Sequence, residues 1–112
     1  MSTVSTHVLD AARGEPARGI VVRLERVGKG ELGRAITDAD GRVSGFGVAG
    51  LKAGDYRLVF ETGSYLTAHG GQAGAAAFFP EVVITFTVDG QRPKYHLPLL
   101  LSPFSYSTYR GS

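Results

Sequence analysis

Histidine is the side chain best suited to move a proton at neutral pH, because its unperturbed pKa is about 6.5. This chain of 112 residues has three: His7, His69 and His96. His96 lies in a run from Lys94 to Leu101. Alternation there sets Tyr95, Leu97, Leu99 and Leu101 on one face and Lys94, His96 and Pro98 on the other. The apolar set is a core face, so His96 points away from the core. His7 lies in a second alternating run, where Val4, Thr6 and Val8 oppose Ser5, His7 and Leu9. The last residues add Tyr109, Arg110 and Ser112, polar chemistry where most domains keep a disposable tail. Two outward histidines could handle protons. They could also ligate zinc, but only His69 and scattered carboxylates are at hand to complete the ligand set. A lone strand histidine is equally an ordinary surface residue, and a sheet can simply end with its chain. Alternation alone leaves these readings open.

The elements that must position these residues read as short strands. Gly19–Val27 sets Ile20, Val22 and Leu24 against Val21, Arg23 and Glu25, and Asp55–Thr62 sets Tyr56, Leu58 and Phe60 against Arg57, Val59 and Glu61. Glu81–Asp89 carries Val82, Ile84, Phe86 and Val88 on one face. Asp89-Gly90 and Ser102-Pro103 are turn signals, and Phe104–Tyr109 alternates again after the second. Gly63–Gly70 is the only plausible helix, with Ser64 as its expected N-cap, and Gly71–Ala77 is small and flexible. About eight strands at this spacing predict an all-β fold, a two-sheet antiparallel sandwich with one short helix, in a single domain spanning residues 1–112.

Two motifs mislead. Gly28-Lys-Gly30-Glu-Leu-Gly33 matches a dinucleotide-binding loop, which needs a helix N-terminus at its end to hold pyrophosphate. The short alternating segment from Arg34 to Gly41 supplies none, so a glycine-rich hairpin connection is expected instead. Asp38-Ala-Asp40-Gly41 echoes a calcium loop but lacks the third acidic ligand, and its twelfth position is Ala49. It reads as a β-turn that delivers Arg42 to the start of a short strand.

Composition narrows the function classes. The chain is 43% hydrophobic and 20% charged, ordinary for a globular protein. Its twelve Lys and Arg are scattered, which argues against nucleic-acid binding, and no apolar run approaches the ~20 residues of a membrane span. With no cysteine, thiolate catalysis and disulfides are excluded. The polar, alternating start is no signal-peptide core, so a cytoplasmic location is expected.

Taken in order, five segments resemble the transthyretin-related family, and within it the 5-hydroxyisourate hydrolases. They are Ser5-Thr-His7-Val-Leu-Asp10, Asp38-Ala-Asp-Gly-Arg42, Phe79-Pro-Glu-Val-Val-Ile-Thr-Phe86, His96-Leu-Pro-Leu-Leu-Leu-Ser-Pro103 and Tyr109-Arg-Gly-Ser112. The resemblance runs the length of the chain. Its most specific mark is the terminal tetrapeptide, which separates the hydrolases from the hormone-carrying transthyretins. The stretch His69–Ala77 departs from it, being richer in Gly and Ala.

The resemblance implies hydrolytic opening of the cyclic amide of 5-hydroxyisourate, a product of urate oxidation, to 2-oxo-4-hydroxy-4-carboxy-5-ureidoimidazoline. It carries catalytic roles to His7, Arg42, His96 and Ser112, and substrate contacts to His7, Arg42, Tyr109 and Arg110. His7 and His96 would handle the proton as water attacks the carbonyl, while Arg42 grips the planar, oxygen-rich substrate and stabilises developing charge. No metal or cofactor is implied. The two histidine strands are expected to be neighbours in one sheet. In a homotetramer, a dimer of dimers, that sheet would face an internal channel, burying Leu9, Pro98 and Tyr109. The terminal carboxylate of Ser112 is expected to help fix the tail there. The alternative is a carrier that holds an aromatic ligand in that channel without turning it over.

Overall fold

The computed structural model describes residues 2–69 and 76–112. In chain order the strands are β1 (Thr3–Asp10), β2 (Glu15–Pro16), β3 (Val21–Arg26), β4 (Gly30–Ile36), β5 (Arg42–Val43) and β6 (Gly54–Glu61). Helix α1 (Gly63–His69) follows, then β7 (Val82–Val88), β8 (Lys94–Ser102) and β9 (Ser105–Thr108). One sheet has the order β2-β1-β8-β9, with β5 also paired to β1, and the other has the order β4-β3-β6-β7. Val4 and Val8 of β1 and Tyr95, Leu97, Leu99 and Leu101 of β8 are buried in one core with Val22, Leu24, Tyr56, Leu58 and Phe60 from the second sheet. The alternation read from the sequence thus sorts side chains as expected, and the two-sheet sandwich with one short helix is the observed fold.

Four details differ from expectation. There are nine strands among the described residues, because β2 and β5 are two-residue strands too short to show a period. The β1–β8 pair is parallel, running in register from Thr3 opposite Lys94 to Asp10 opposite Leu101. Alternation fixes faces but not direction. These strands are separated by the whole second sheet and so escape the antiparallel sense a hairpin imposes. The connection after β3 is only residues 27–29, and β4 already begins at Gly30. Gly33 lies inside that strand because the Phe46 carbonyl oxygen occupies the space a Cβ would need. Finally, Ser64 is not the cap of α1. The helix starts at Gly63, whose N–H donates to the Pro80 carbonyl at 2.8 Å, and the preceding Thr62 hydroxyl donates to the Phe79 carbonyl at 2.7 Å. Of the Gly/Ala-rich stretch after the helix, residues 70–75 lie outside the described residues.

After β9 the chain continues back along β8 until Gly111 faces His96, its N–H donating to the His96 carbonyl at 2.7 Å. The tail is therefore held by the sheet. Pro98, expected to need a partner chain for burial, is already buried between β1 and β9: it is paired with His7, and its carbonyl accepts from the Thr108 hydroxyl at 2.7 Å.

Candidate active site

The outward faces of β1, β5 and β8 are built in rows. Arg42, His7 and Pro98 lie across three adjacent strands in one row, and Ser5, His96 and Gly111 lie across the next. Strands are about 4.8 Å apart and two residues advance about 6.6 Å, so the two imidazoles start from diagonal neighbours on one face. Alternation places each histidine on an outward face separately. The register supplies the fact that they share it.

Arg42 is set by the turn before it. The Asp38 carboxylate accepts the N–H groups of Asp40 and Arg42, both at 2.9 Å, and the Asp38 carbonyl accepts that of Gly41 at 2.9 Å. The bond from the Arg42 backbone is the main cause that holds the Asp38 carboxyl below its ordinary pKa, helped by the nearby charges of Arg42 and His7. The same turn orients His7, whose Nε2 lies 2.8 Å from the Asp40 carbonyl. A carbonyl can only accept, so His7 carries a proton on Nε2. Among the described residues the Arg42 guanidinium enters no ion pair.

His96 is half-buried, with Nδ1 2.8 Å from the Ser5 hydroxyl oxygen. Burial pushes its pKa down, the charges of Arg42 and His7 push the same way, and a hydrogen bond to the Ser5 backbone opposes them. The ring is held neutral at neutral pH, as a proton acceptor must be.

Arg42, His96 and Ser112 line one groove of about 430 Å³, together with Ser5, Thr3 and Lys94. His7 is not in its wall but is the cross-strand partner of Arg42. Tyr109 and Arg110 are placed elsewhere: they line a separate cavity of about 280 Å³ with Ile84, Phe86, Tyr95 and Leu97, where edge strands β7 and β9 leave the sandwich open. His69 is engaged far along the chain, accepting from Arg13 Nη1 at 2.7 Å and stacked 4.5 Å from the Tyr65 ring. Among the described residues no three His, Asp or Glu side chains gather as metal ligands. Ser5 and Lys94 are among the groove residues that sequence reasoning does not single out, with Thr3 and Ser44. Alternation puts the first two each beside its histidine on the outward face, but nothing in a single strand shows that Ser5 faces His96.

A neutral imidazole, an unpaired guanidinium and a serine hydroxyl around one groove can deprotonate a water molecule and hold a planar, carbonyl-bearing molecule under attack. The two-sheet sandwich that carries them is a transthyretin-like fold. The model of the HIUase/Transthyretin family matches residues 4–111, and the chain belongs to that family. It is 42% identical over 117 residues to 5-hydroxyisourate hydrolase of Mus musculus, covering 99% of this chain and 96% of that protein. The solved structure of Klebsiella pneumoniae 5-hydroxyisourate hydrolase superposes with a TM-score of 0.86 at 42% identity over 100% of both chains. Transthyretin from Sparus aurata superposes almost as well, with a TM-score of 0.85 over 99% of this chain and 97% of that one, but at 28% identity. The fold is thus common to hydrolase and transthyretin, while the sequence sides with the hydrolases.

Proposed function

We propose that the chain catalyses hydrolysis of 5-hydroxyisourate in urate breakdown, on the outward face of the β1–β8 sheet. The activity is that of its 42%-identical relatives. The observation that carries the placement is the set of rows on that face: two imidazoles and a guanidinium without an ionic partner, from three adjacent strands, beside a groove. His96 and His7 handle protons. Water attacks the ring carbonyl as it loses a proton to an imidazole, the C–N bond of the cyclic amide breaks, and the proton goes to the departing nitrogen. Arg42 pairs with the carbonyl oxygens of the substrate and offsets the negative charge that gathers on the one attacked. The Ser112 hydroxyl adds a hydrogen bond from the end of the groove. No cofactor is needed for this chemistry.

The working form we assign is a homotetramer, a dimer of dimers in the cytoplasm, with this sheet facing an internal channel. Association is supported by the surface of the single chain. Phe78 and Phe104 are 67% and 79% exposed, their rings 6.2 Å apart, and Phe79 meets Tyr106 at 5.2 Å. This aromatic patch adjoins edge strand β9, whose backbone is open to pairing. Tyr109 and Arg110 do not reach the groove of their own chain, and we assign them to substrate contacts made within the assembled channel. Among the described residues no helix is long and apolar enough to cross a membrane.

The test is to replace His7 or His96 by Asn and follow the ultraviolet absorbance of freshly generated 5-hydroxyisourate. Each variant is expected to lose at least ~10²-fold in kcat, the low end for a general acid or base. Sedimentation should still show the wild-type tetramer. A folded variant with normal turnover removes that histidine from the mechanism, and a monomer at micromolar concentration removes the shared channel.

A further inference from the structure

We infer that Ser5 is a positioning residue for His96: its hydroxyl oxygen accepts the Nδ1–H of the imidazole and thereby leaves the lone pair on Nε2, facing the groove. This rests on the assignment of proton transfer to His96. The two residues are directly paired on the parallel strands β1 and β8, with Oγ 2.8 Å from Nδ1, and both line the groove. Among the described residues Ser5 Oγ has no other hydrogen-bond partner. Nδ1 being taken, Nε2 is the only ring nitrogen left for water or substrate. A neutral imidazole has one N–H and one lone pair, so the partner of one nitrogen decides what the other can do. If Ser5 holds the proton side, the groove meets a base; without that hold, the ring can present N–H there and cannot accept.

The second contact on the ring shows why rotation is also at stake. A Cβ on Gly111 would stand 2.7 Å from His96 Cδ2, the carbon next to Nε2, and the Gly111 N–H is bonded to the His96 carbonyl. The ring is thus gripped on opposite edges, at Nδ1 by β1 and at Cδ2 by the tail. The lowered pKa of His96, caused first by burial, agrees with a neutral ring. His7 is oriented the opposite way, with its Nε2–H committed to the Asp40 carbonyl. That leaves the His7 lone pair on Nδ1, but of the two histidines only His96 lines the groove, so its lone pair is the one placed to accept there, which makes it the base.

The test compares wild type with Ser5→Ala, Ser5→Thr and His96→Asn, using ring-opening kinetics and the 15N resonances of the His96 ring at neutral pH. Ser5→Ala should lower kcat by ~10–100-fold, the effect typical of removing the partner that orients a functional histidine, with KM little changed. Its His96 spectrum should shift from the Nδ1–H tautomer toward a mixture. Ser5→Thr keeps the hydroxyl on a strand-compatible side chain and should restore both readouts. If Ser5→Ala keeps wild-type kcat and the wild-type tautomer while His96→Asn is inactive, Ser5 does not position the base and the inference fails alone. It fails equally if the Ala variant is slow but its tautomer is unchanged and Thr does not rescue it. If His96→Asn is fully active, the assignment of His96 to proton transfer fails and takes this inference with it.

Discussion

The two sheets of this sandwich have outward faces made by the same alternation, and both are rich in charge, yet they use it in opposite ways. On the β4-β3-β6-β7 sheet two central arginines are spent on glutamates. Arg23 contacts Glu25, Glu31 and Glu61, and Arg34 donates twice to Glu31, at 2.8 and 2.7 Å. Arg23 and Arg34 are themselves cross-strand partners, a like-charge pair that the intervening glutamates neutralise. On the other sheet Arg42 has no carboxylate partner among the described residues, His7 and His96 bond only to uncharged groups, and Arg42 and His96 line a groove. A polar face that satisfies itself is a solvated wall. One that leaves cations and lone pairs pointing into a groove can bind and react.

The comparison can be broken most sharply at Gly111, where the reactive face relies on a contact that needs the smallest residue. Gly111→Ala places a methyl group 2.7 Å from His96 Cδ2, so either the ring or the tail must move. A displacement approaching 1 Å costs ~10²-fold in rate when the reacting geometry is tight, and circular dichroism should report an unchanged sheet. Full turnover by this variant would show that the tail does not set the ring.

A smaller effect sharpens the comparison through pH. Burial first, then the charges of Arg42 and His7, lower the folded pKa of His96 below its ordinary value of about 6.5. A histidine with a depressed pKa takes up its proton later in the folded state than in the unfolded one. Its contribution to stability is therefore full above about pH 6.5, and is lost as pH falls through the folded value. For the same reason it stays available as a base below pH 6.5. The NMR titration midpoint of His96 should lie below that value and move up in an Arg42→Gln variant. A midpoint at or above 6.5 in the wild type would mean that the face does not hold its imidazole neutral.

Much of the site is legible from alternation. The period of two assigns Ser5, His7, Lys94 and His96 to outward positions, and Asp38 and Gly41 mark the turn that delivers Arg42. What alternation cannot carry is register and direction, which are properties of pairs of strands. The parallel run of β1 along β8, the pairing of Ser5 with His96, and the two-residue strand that brings Arg42 beside His7 all depend on contacts between segments far apart in the chain. The tail shows the same limit. Its sequence marks Tyr109, Arg110 and Ser112 alike as polar chemistry, but the sheet seats Ser112 at the groove and turns Tyr109 and Arg110 to the cavity between the edges of the sandwich. Gly33 reads as part of a connection because a glycine needed for close approach to the Phe46 carbonyl looks, in sequence, like a glycine needed for a turn.

The contrast between the faces is tested most directly by one arginine from each. Arg42→Gln and Arg23→Gln should be assayed together for the rate of 5-hydroxyisourate ring opening and for thermal unfolding. Arg42→Gln is expected to lower kcat/KM by ~10²-fold or more, the scale of losing one donor to a developing oxyanion, with little change in stability. Arg23→Gln is expected to leave the rate unchanged and to cost on the order of 1 kcal/mol or less in stability, as exposed ion pairs do. An Arg42→Gln enzyme as fast as wild type, or an Arg23→Gln enzyme equally impaired, would contradict the division between a reactive sheet and a self-satisfied one.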